Sequence, residues 1–558
     1  MLRPLWCLPK DTHHKVATAK VKAKVKVKVV MVRVKAVNLV NLVNRVNRVS
    51  QLNRVNQVKA VNLVNLPPAV PALLGEVKGS RRVVQRTTTC TSIRSRFPQS
   101  PNPNSMFEPS KSFDTISLTW DSTEKTSDGR TINYYSNTIE AFTQQVYPNL
   151  GSAHLTGYNG TAPGPTYYVE KGTETIIRYL NKGEQTSSVH LHGSYTHSAW
   201  DGWAADEIQP GQYKDYYYPN TETARSIWYH DHAENHTAAD AYYGQAGMYI
   251  IYDPAEDSLK LPTGKYDVPL AISDKAYQSN GDLASPNGNT ENFFGDIIHV
   301  NEQPWPYLSV EPRKYRLRFY DMSLSRPYTL YFADSDGNWI DFQVIASDSG
   351  LFGGPVTTND LTIAMGERYE VVVDFCNHAN KNITLGNDNQ QQQINEFDNT
   401  DKVMKFVVGG SVSDNTNNGN VPSTLNGNIQ WPAQRTTVDH TFNFQQGGAN
   451  EWTINGVDFM DANNRILARP PQGTVELWEV HHTGGPAVHP VHVHLVNLQV
   501  VSRTGGSRGL LPYESAGLKD VVLLEPGETV QLLAYYGPWN GVYMVSPINI
   551  LPHILHSH

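Results

Sequence analysis

Residues 369–375 read YEVVVDF, a run of aromatic and β-branched residues that predicts a β-strand. Similar runs lie on both sides of it and are separated by turn residues such as Asn159-Gly160 and Pro163-Gly164. Further examples are ETIIRYL (174–180), MYIIY (248–252) and residues 314–320, 475–480, 495–501 and 520–524. Many short strands with turn signals between them are typical of β-sandwiches and β-barrels. We therefore predict an all-β fold.

The strand pattern recurs in three blocks. At 558 residues the chain has room for two to four domains of roughly 100–200 residues each. We predict three β-sandwich domains, at 106–255, 256–410 and 425–558. A Gln/Asn-rich stretch at 387–399 and a Ser/Asn/Gly-rich stretch at 409–427 mark loops or a linker near the second boundary.

The first part of the chain has a different composition. Residues 12–75 contain no Asp or Glu, and within them Lys/Val alternation at 20–28 gives way to Val-Asn-Leu and Val-Asn-Arg triplets at 37–66. We predict a low-complexity, disordered basic extension over 1–105. A strand with one charged face, or an anion-binding or targeting segment, is the alternative. The opening residues lack the apolar core and cleavage site of a clear signal peptide.

Composition argues against several classes of protein. The formal net charge of -7 is small for this length, so we expect no nucleic-acid partner. No uncharged apolar run of about 18 residues appears, so we predict no membrane-spanning helix. The three cysteines, Cys7, Cys90 and Cys376, are too few for a disulfide framework and match no zinc-binding spacing.

Histidines carry the strongest chemical signal. Three His-x-His pairs lie in strand-like contexts: His190/His192, His230/His232 and His492/His494. Residues i and i+2 of a strand share a face, so each pair presents two imidazoles side by side. A further histidine, His489, precedes the third pair. Imidazole suits copper, zinc, iron and nickel, so we predict a metal site without choosing the metal; structural histidines are the alternative.

These motifs resemble three of the four signatures of the multicopper oxidases. The supporting runs are SSVHLHGSYTHSAWDGWA (187–204), YKDYYYPNTETARSIWYHDHA (213–233), YGQAGMYIIYDPAEDSLKLPTGKYDVPLAI (243–272), PWPYLSVEPRKYRLRF (304–319) and GLKDVVLLEPGETV (517–530). The matching runs occur in the family's order over roughly 130–544. Within the family, the sequence is similar to the fungal bilirubin-oxidase and laccase-like branch. It implies three cupredoxin domains, a copper cofactor, and the coupling of one-electron oxidation of phenols or tetrapyrroles to four-electron reduction of O2 to water.

The resemblance implies a role for each matching histidine. It implies type 2 copper ligands at His190 and His492, type 3 ligands at His192, His230, His232 and His494, and a type 1 ligand at His489. Asp201, in the TrpAspGlyTrp motif, matches the acidic position thought to deliver protons to bound oxygen. A turn aspartate before a glycine is the alternative for Asp201.

The fourth signature is absent from its expected place. A His-Cys-His segment should follow Met544, but those positions hold Ser546, Pro547 and Ile548, and no cysteine follows Cys376. The type 1 centre then lacks its thiolate and the type 3 pair lacks two ligands, so the resemblance implies that an oxidase with this ending is inactive or impaired.

Three explanations are open for this ending. We expect that it is not the natural one, because Val-Ser can be encoded by GTAAGT, a common intron start. A genuine isoform without oxidase activity is the second explanation, and substitution by His556-Ser557-His558 is the third. We also expect the ending to remove a strand of the third domain and leave a sheet edge unpaired.

Two classes of function follow. The first is the oxidase, with a small-molecule electron donor and O2 as partners and no membrane partner. The alternative is a non-enzymatic, copper-binding cupredoxin protein. A two-domain copper nitrite reductase is disfavoured because a third β-block carries the cluster 489–494. The resemblance implies a secreted protein; the natural substrate and the oligomeric state are not predicted.

Overall fold

The computed structural model describes residues 117–286, 293–389, 397–446, 452–485, 487–547 and 553–557. These residues form thirty-one strands arranged in six sheets, with only short helices between them. The predicted all-β fold is therefore confirmed. The predicted basic extension at 1–105 lies outside the described residues.

The first block forms two facing sheets around a core of tyrosine rings. Its strands are β1 (Ser122–Lys125), β2 (Thr131–Gln144), β3 (Ala153–Tyr158), β4 (Gly164–Glu170), β5 (Glu174–Asn181), β6 (Val189–His192), β7 (Tyr213–Tyr218), β8 (Arg225–Asp231) and β9 (Ala246–Tyr252). One sheet has the order β1-β2-β5-β7 with β3 paired to β2, and the other has the order β4-β9-β8-β6. Between them, Tyr158, Tyr167 and Tyr229 pack with ring centroids 4.7–5.3 Å apart. This block also holds a 3₁₀ turn (Ser198–Trp200) and helix α1 (Thr237–Tyr242).

The second block is the largest pair of sheets. Its strands are β10 (Asp267–Lys275), β11 (Ile297–Val300), β12 (Gln303–Pro304), β13 (Tyr307–Val310), β14 (Lys314–Asp321), β15 (Tyr328–Ala333), β16 (Trp339–Ile340), β17 (Phe342–Ser347), β18 (Gly350–Thr358), β19 (Leu361–Ile363), β20 (Arg368–Asp374), β21 (Asn382–Asn387) and β22 (Lys402–Val408). The sheets have the orders β12-β11-β10-β14-β20-β17-β18 and β13-β22-β21-β15-β16, with β19 on β15. Short 3₁₀ turns lie at Pro254–Leu259, Gly264–Tyr266 and Cys376–His378. The predicted strand 369–375 is β20, whose valines are buried.

The third block repeats the two-sheet arrangement. Its strands are β23 (His440–Gln446), β24 (Trp452–Ile454), β25 (Val475–His482), β26 (His489–Val493), β27 (Leu498–Thr504), β28 (Val521–Leu524), β29 (Thr529–Tyr535), β30 (Gly541–Pro547) and β31 (His553–Ser557). The sheets have the orders β24-β23-β25-β29-β27 and β28-β26-β30-β31, and helix α2 spans Pro512–Ser515. We call the three blocks the first, second and third sandwich; the exact domain boundaries stay a prediction.

The expectation of an unpaired edge at the end of the third sandwich is wrong. Strand β30 pairs with β26 on one side, with His492 opposite Ser546. Strand β31 turns back onto its other side, with Met544 opposite Ile554. Val542, Tyr543 and Val545 are residues that favour strands, which allows β30 to form, and residues 553–557 supply the partner for its open backbone groups.

Helices are few and short in this fold. None in the described ranges has the length and apolar character that a membrane span requires.

Candidate metal centre

Strands of the first and third sandwiches bring six histidines to one buried place. In the first, β6 and β8 pair with His190 opposite His230. In the third, β26 carries His492. The other three lie two residues further along the chain in each case, at the end of β6 or directly after β8 and β26. The six histidines are His190, His192, His230, His232, His492 and His494. All are at most 3 % exposed. Alternation explains the arrangement, because Leu191, between His190 and His192, and Tyr229, directly before His230, face the core of the first sandwich.

Two ring stacks cross from the first sandwich to the third. The ring of His190 stacks on that of His494, with centroids 3.8 Å apart. The ring of His192 stacks on that of His492, with centroids 3.6 Å apart. Within the first sandwich, the indole of Trp228 stacks on the ring of His230, with centroids 4.2 Å apart. The three predicted pairs therefore form one six-histidine cavity.

Asp201 holds one of the two stacks. Its backbone carbonyl accepts a hydrogen bond from Nδ1 of His190 at 2.5 Å, and its Oδ2 accepts one from Nδ1 of His494 at 2.8 Å. Gly202 makes this approach possible, because a Cβ there would lie 2.1 Å from the carbonyl oxygen of Val189. Asp201 is thus brought directly to the predicted ligands.

Asp520 holds the other stack in the same way. Its backbone carbonyl accepts from Nδ1 of His492 at 2.8 Å, and its Oδ1 accepts from Nε2 of His192 at 3.2 Å. Sequence reasoning assigned no role to Asp520, although it lies in the quoted run 517–530. Nothing local could have done so, because His192 and Asp520 are 328 residues apart in sequence.

These hydrogen bonds decide which ring nitrogens remain available. Backbone carbonyls, an ionised carboxylate and the unprotonated oxygen of a protonated carboxyl only accept. We assign Oδ2 of Asp201 as such an accepting oxygen, so each bonded ring nitrogen carries the proton and the other carries the lone pair. Among the described residues, no hydrogen-bond partner exists for Nε2 of His190, His230, His492 and His494 or for Nδ1 of His192 and His232. Leaving such buried groups unsatisfied costs roughly 1–3 kcal/mol each.

Burial keeps these imidazoles neutral. It lowers the pKa of His190, His192, His230 and His494 well below the ordinary value, and neighbouring histidines act in the same direction. It lowers the pKa of His232 to about 4. Neutral imidazoles with inward lone pairs are metal ligands.

Three groups of residues place their ligand atoms within 4.8 Å of one another. They are His190/His492/His494, His190/His192/His230 and His192/His492/Asp520. The donor set, the unpartnered nitrogens and the burial together fit one or more metal ions with a preference for imidazole.

The two aspartates differ in their electrostatic surroundings. Burial raises the pKa of Asp201 well above its usual range. Burial acts in the same direction on Asp520, but the Arg368 guanidinium outweighs it and holds the pKa of that carboxyl well below its usual range. Arg368 donates to both Asp520 oxygens at 2.6 Å.

Comparison with known proteins identifies the family. Sequence models described as multicopper oxidase match residues 140–256, 228–411 and 430–550. The chain is 50% identical to a bilirubin oxidase of Albifimbria verrucaria over 433 residues, which is 76% of this chain and 75% of that protein. The chain belongs to the multicopper oxidase family.

Further multicopper oxidases support this assignment. A laccase of Bacillus subtilis (strain 168) is 31% identical over 497 residues, covering 77% of this chain and 93% of the laccase. The multicopper oxidase McoA from Aquifex aeolicus superposes with a TM-score of 0.71 at 26% identity, covering 80% of this chain and 99% of McoA. A laccase from Pediococcus acidilactici gives 0.69 at 25% identity, covering 80% and 94%. The cupredoxin fold, the copper cofactor and the class of oxidoreductase with O2 as acceptor are thereby confirmed.

The structure places His489 apart from the six-histidine cavity. His489 and His492 are three residues apart on β26, so their side chains leave opposite faces of the strand. The His489 ring lies in the third sandwich, 4.1 Å from the Trp452 ring and 4.7 Å from the His482 ring. Neither of its nitrogens has a hydrogen-bond partner in the described ranges, and burial lowers its pKa to about 3.

The residues around His489 do not fit a multicopper oxidase type 1 centre. Such a centre needs a thiolate. The described part of the chain has one free cysteine, Cys376, which is exposed and lies in a 3₁₀ turn of the second sandwich. The strand position opposite Val491 is held by Pro547. The imidazole of His489 is available, but the part of the chain that the structure describes offers it no cysteine sulfur as a second ligand.

Proposed function

We propose that the six-histidine cavity is the copper site of an oxidase. In this proposal His190 and His492 hold the type 2 copper, and His192, His230, His232 and His494 are ligands of the type 3 pair. The observation that carries it is the set of six buried imidazoles whose unpartnered nitrogens lie in one cavity. Copper supplies the redox chemistry through which four electrons reach O2.

We propose that the electron donor is a phenol or a tetrapyrrole of the bilirubin type. The relatives named bilirubin oxidase and laccase support this choice. The family resemblance also supports an extracellular location. An assay for the protein in culture medium and in cells would test that location, and retention of all of it inside cells would contradict it.

Asp201 is the proposed proton-delivering residue. Its carboxylate lies inside the cavity wall, bonded to His494 and with its Oδ1 3.6 Å from Nδ1 of His190. Among the described residues, Asp201 is the one whose carboxyl group lies within 4.0 Å of both His190 and His494. The same contacts hold the two rings in place, so Asp201 has a positioning role as well.

We derive no electron-transfer step through His489, because the type 1 ligand set does not fit. We therefore propose that this protein is an impaired oxidase. The second candidate, a copper-binding protein without turnover, is favoured by Ser546, Pro547 and Ile548 standing where the family has His-Cys-His.

Oxygen uptake tests the two candidates. Full-length protein is loaded with copper, freed of excess metal and mixed with bilirubin or a simple phenol. We expect slow, donor-dependent O2 uptake that is lost in His190→Ala/His492→Ala. The matched control is His299→Ala, which removes a buried histidine of the second sandwich that contacts Tyr277.

Each other outcome decides against one candidate. Bound copper with no donor-dependent uptake would contradict the oxidase proposal and support the binding protein. Uptake that survives in the double variant would show that the activity does not come from this cavity.

A further inference from the structure

The two aspartates of the cavity make matching contacts but are held differently. Each accepts from one histidine through its backbone carbonyl and from another through its carboxylate. The Asp520 carboxylate is also gripped by both terminal nitrogens of Arg368. Within the described residues, no Lys or Arg pairs with the Asp201 carboxylate, whose contacts with basic side chains are those with the neutral rings of His190 and His494.

Arg368 is itself fixed on several sides. It begins β20 in the second sandwich and is fully buried. Its Nε donates to the backbone carbonyl of Ser226 at 3.0 Å, and Ser226 lies on β8, the strand that carries His230. Nη1 donates to the carbonyl of Gly366 at 2.9 Å and Nη2 to that of Asp348 at 3.2 Å. Because three carbonyls fix the orientation of the guanidinium, its two terminal nitrogens are held facing the Asp520 carboxylate.

The ion pair also packs closely against the chain next to a predicted ligand. A Cβ on Gly193 would lie 2.5 Å from Oδ2 of Asp520 and 2.6 Å from Nη2 of Arg368. Gly193 follows His192 directly and has a φ of +90°. The ion pair between Arg368 and Asp520 therefore lies against the end of β6, next to its last residue, His192.

Fixing the Asp520 carboxylate fixes a tautomer. Oδ1 accepts the Nε2 proton of His192, which leaves the Nδ1 lone pair for the cavity. The backbone carbonyl of the same residue accepts the Nδ1 proton of His492, which leaves the Nε2 lone pair. The two stacked rings thus offer different nitrogens, and both choices depend on the placement of Asp520.

We propose that Arg368, a residue of the sandwich that supplies no histidine to the cavity, is a positioning residue for metal loading. It clamps Asp520 and thereby sets which nitrogens of His192 and His492 face the cavity. This inference rests on the proposed copper-binding function, but its tautomer component does not require metal. A sandwich that only braces the other two would not influence which nitrogen binds metal.

The test compares Arg368→Lys with Arg318→Lys. Lysine keeps the charge but loses the two-pronged grip. Arg318 is the matched control because it is also buried, also contacts Ser226 (Nη1 to Oγ, 2.9 Å) and forms a two-pronged pair with Asp267, but the structure shows no contact between it and the six histidines. Both variants are compared for apo-protein melting, copper per chain, and the electron paramagnetic resonance spectrum of bound copper.

We expect Arg368→Lys to lower copper affinity roughly 10–100-fold and to alter the hyperfine pattern of the bound copper. Arg318→Lys should keep both wild-type values. Equal losses in the two variants, or an unchanged Arg368→Lys, would overturn the inference, because Arg368 would then act only as a structural brace or not at all.

A second measurement tests the tautomers directly and requires neither a folded variant nor bound copper. Long-range ¹H–¹⁵N spectra of the metal-free, histidine-labelled wild-type chain report which ring nitrogen is protonated. We expect Nε2–H for His192 and Nδ1–H for His492. The opposite tautomer at His192 would overturn the inference. Absence of copper binding with these tautomers present would contradict the proposed function and the loading role, and would leave the tautomer assignment standing.

Discussion

At the scale of single residues, the positions of the ring protons decide which histidine nitrogens can bind metal in the cavity. Each of four predicted ligands donates one ring proton to Asp201 or Asp520 and keeps its lone pair for the interior. The sequence could predict the histidines, because the His-x-His spacing is local and i/i+2 residues share a strand face. It could not predict Asp520 or Arg368 as their partners, because these contacts join residues 152 to 328 positions apart.

Asp201 gives a prediction at this scale. Asn at this position keeps an oxygen that can accept from His494, whereas Ala does not. We expect Asp201→Asn to load copper like the wild type but to slow reoxidation by O2 of the chemically reduced protein by on the order of 10²-fold, the size of a lost general acid. Asp201→Ala should also lose copper.

Copper content and stopped-flow reoxidation separate these effects. Equal copper loss in the Asn and Ala variants would show that the carboxylate itself is needed for loading. Unchanged reoxidation in Asp201→Asn would contradict a proton-delivering role.

At the scale of secondary-structure elements, local sequence predicts strands and long-range packing decides their partners. The predicted strands 174–180, 248–252 and 369–375 correspond to β5, β9 and β20. The parallel pairing of β4 with β9 and the return of β31 onto β30 were not foreseen. Both pairings depend on which strand edges remain open after the rest of the sandwich has formed, and no single segment carries that information.

Gly247 gives a prediction about the contact between β8 and β9. A Cβ at this position would lie 2.4 Å from the ring of Tyr229. Tyr229 precedes His230 on β8, and its ring is part of the core of the first sandwich. We expect Gly247→Ala to lower the free energy of unfolding by about 1–3 kcal/mol through overpacking. Urea denaturation measures it.

The matched control is Gly353→Ala on β18. A Cβ there has its nearest neighbour at 3.8 Å, so it can be accommodated without a clash. Similar unfolding free energies for the two variants would contradict the packing described for β8 and β9.

At the scale of the whole molecule, the candidate centre exists only when sandwiches come together. Ligands come from the first and third, and the second contributes Arg368. All of the described residues belong to one compact unit spanning 91–558. The histidines predicted as ligands lie in the first and third predicted domains, but the contribution of the second sandwich is visible only in the structure.

Because its ligands come from two sandwiches, copper should stabilise the molecule as a unit. A ligand that binds only the folded state adds about 2.7 kcal/mol at 100 times its dissociation constant. We expect copper to raise the melting temperature of the wild type and of His299→Ala, but not of His190→Ala/His492→Ala. A copper-induced rise in the double variant would place the metal elsewhere.

The most direct test of the copper site is the metal content of the purified full-length chain. Elemental analysis and the visible spectrum are measured together, on the wild type and on His190→Ala/His492→Ala. We predict tightly bound copper that is lost in the double variant, without the intense visible band of a copper–thiolate bond. Copper equally bound in both proteins, no copper in the wild type, or a blue wild-type protein would contradict the account.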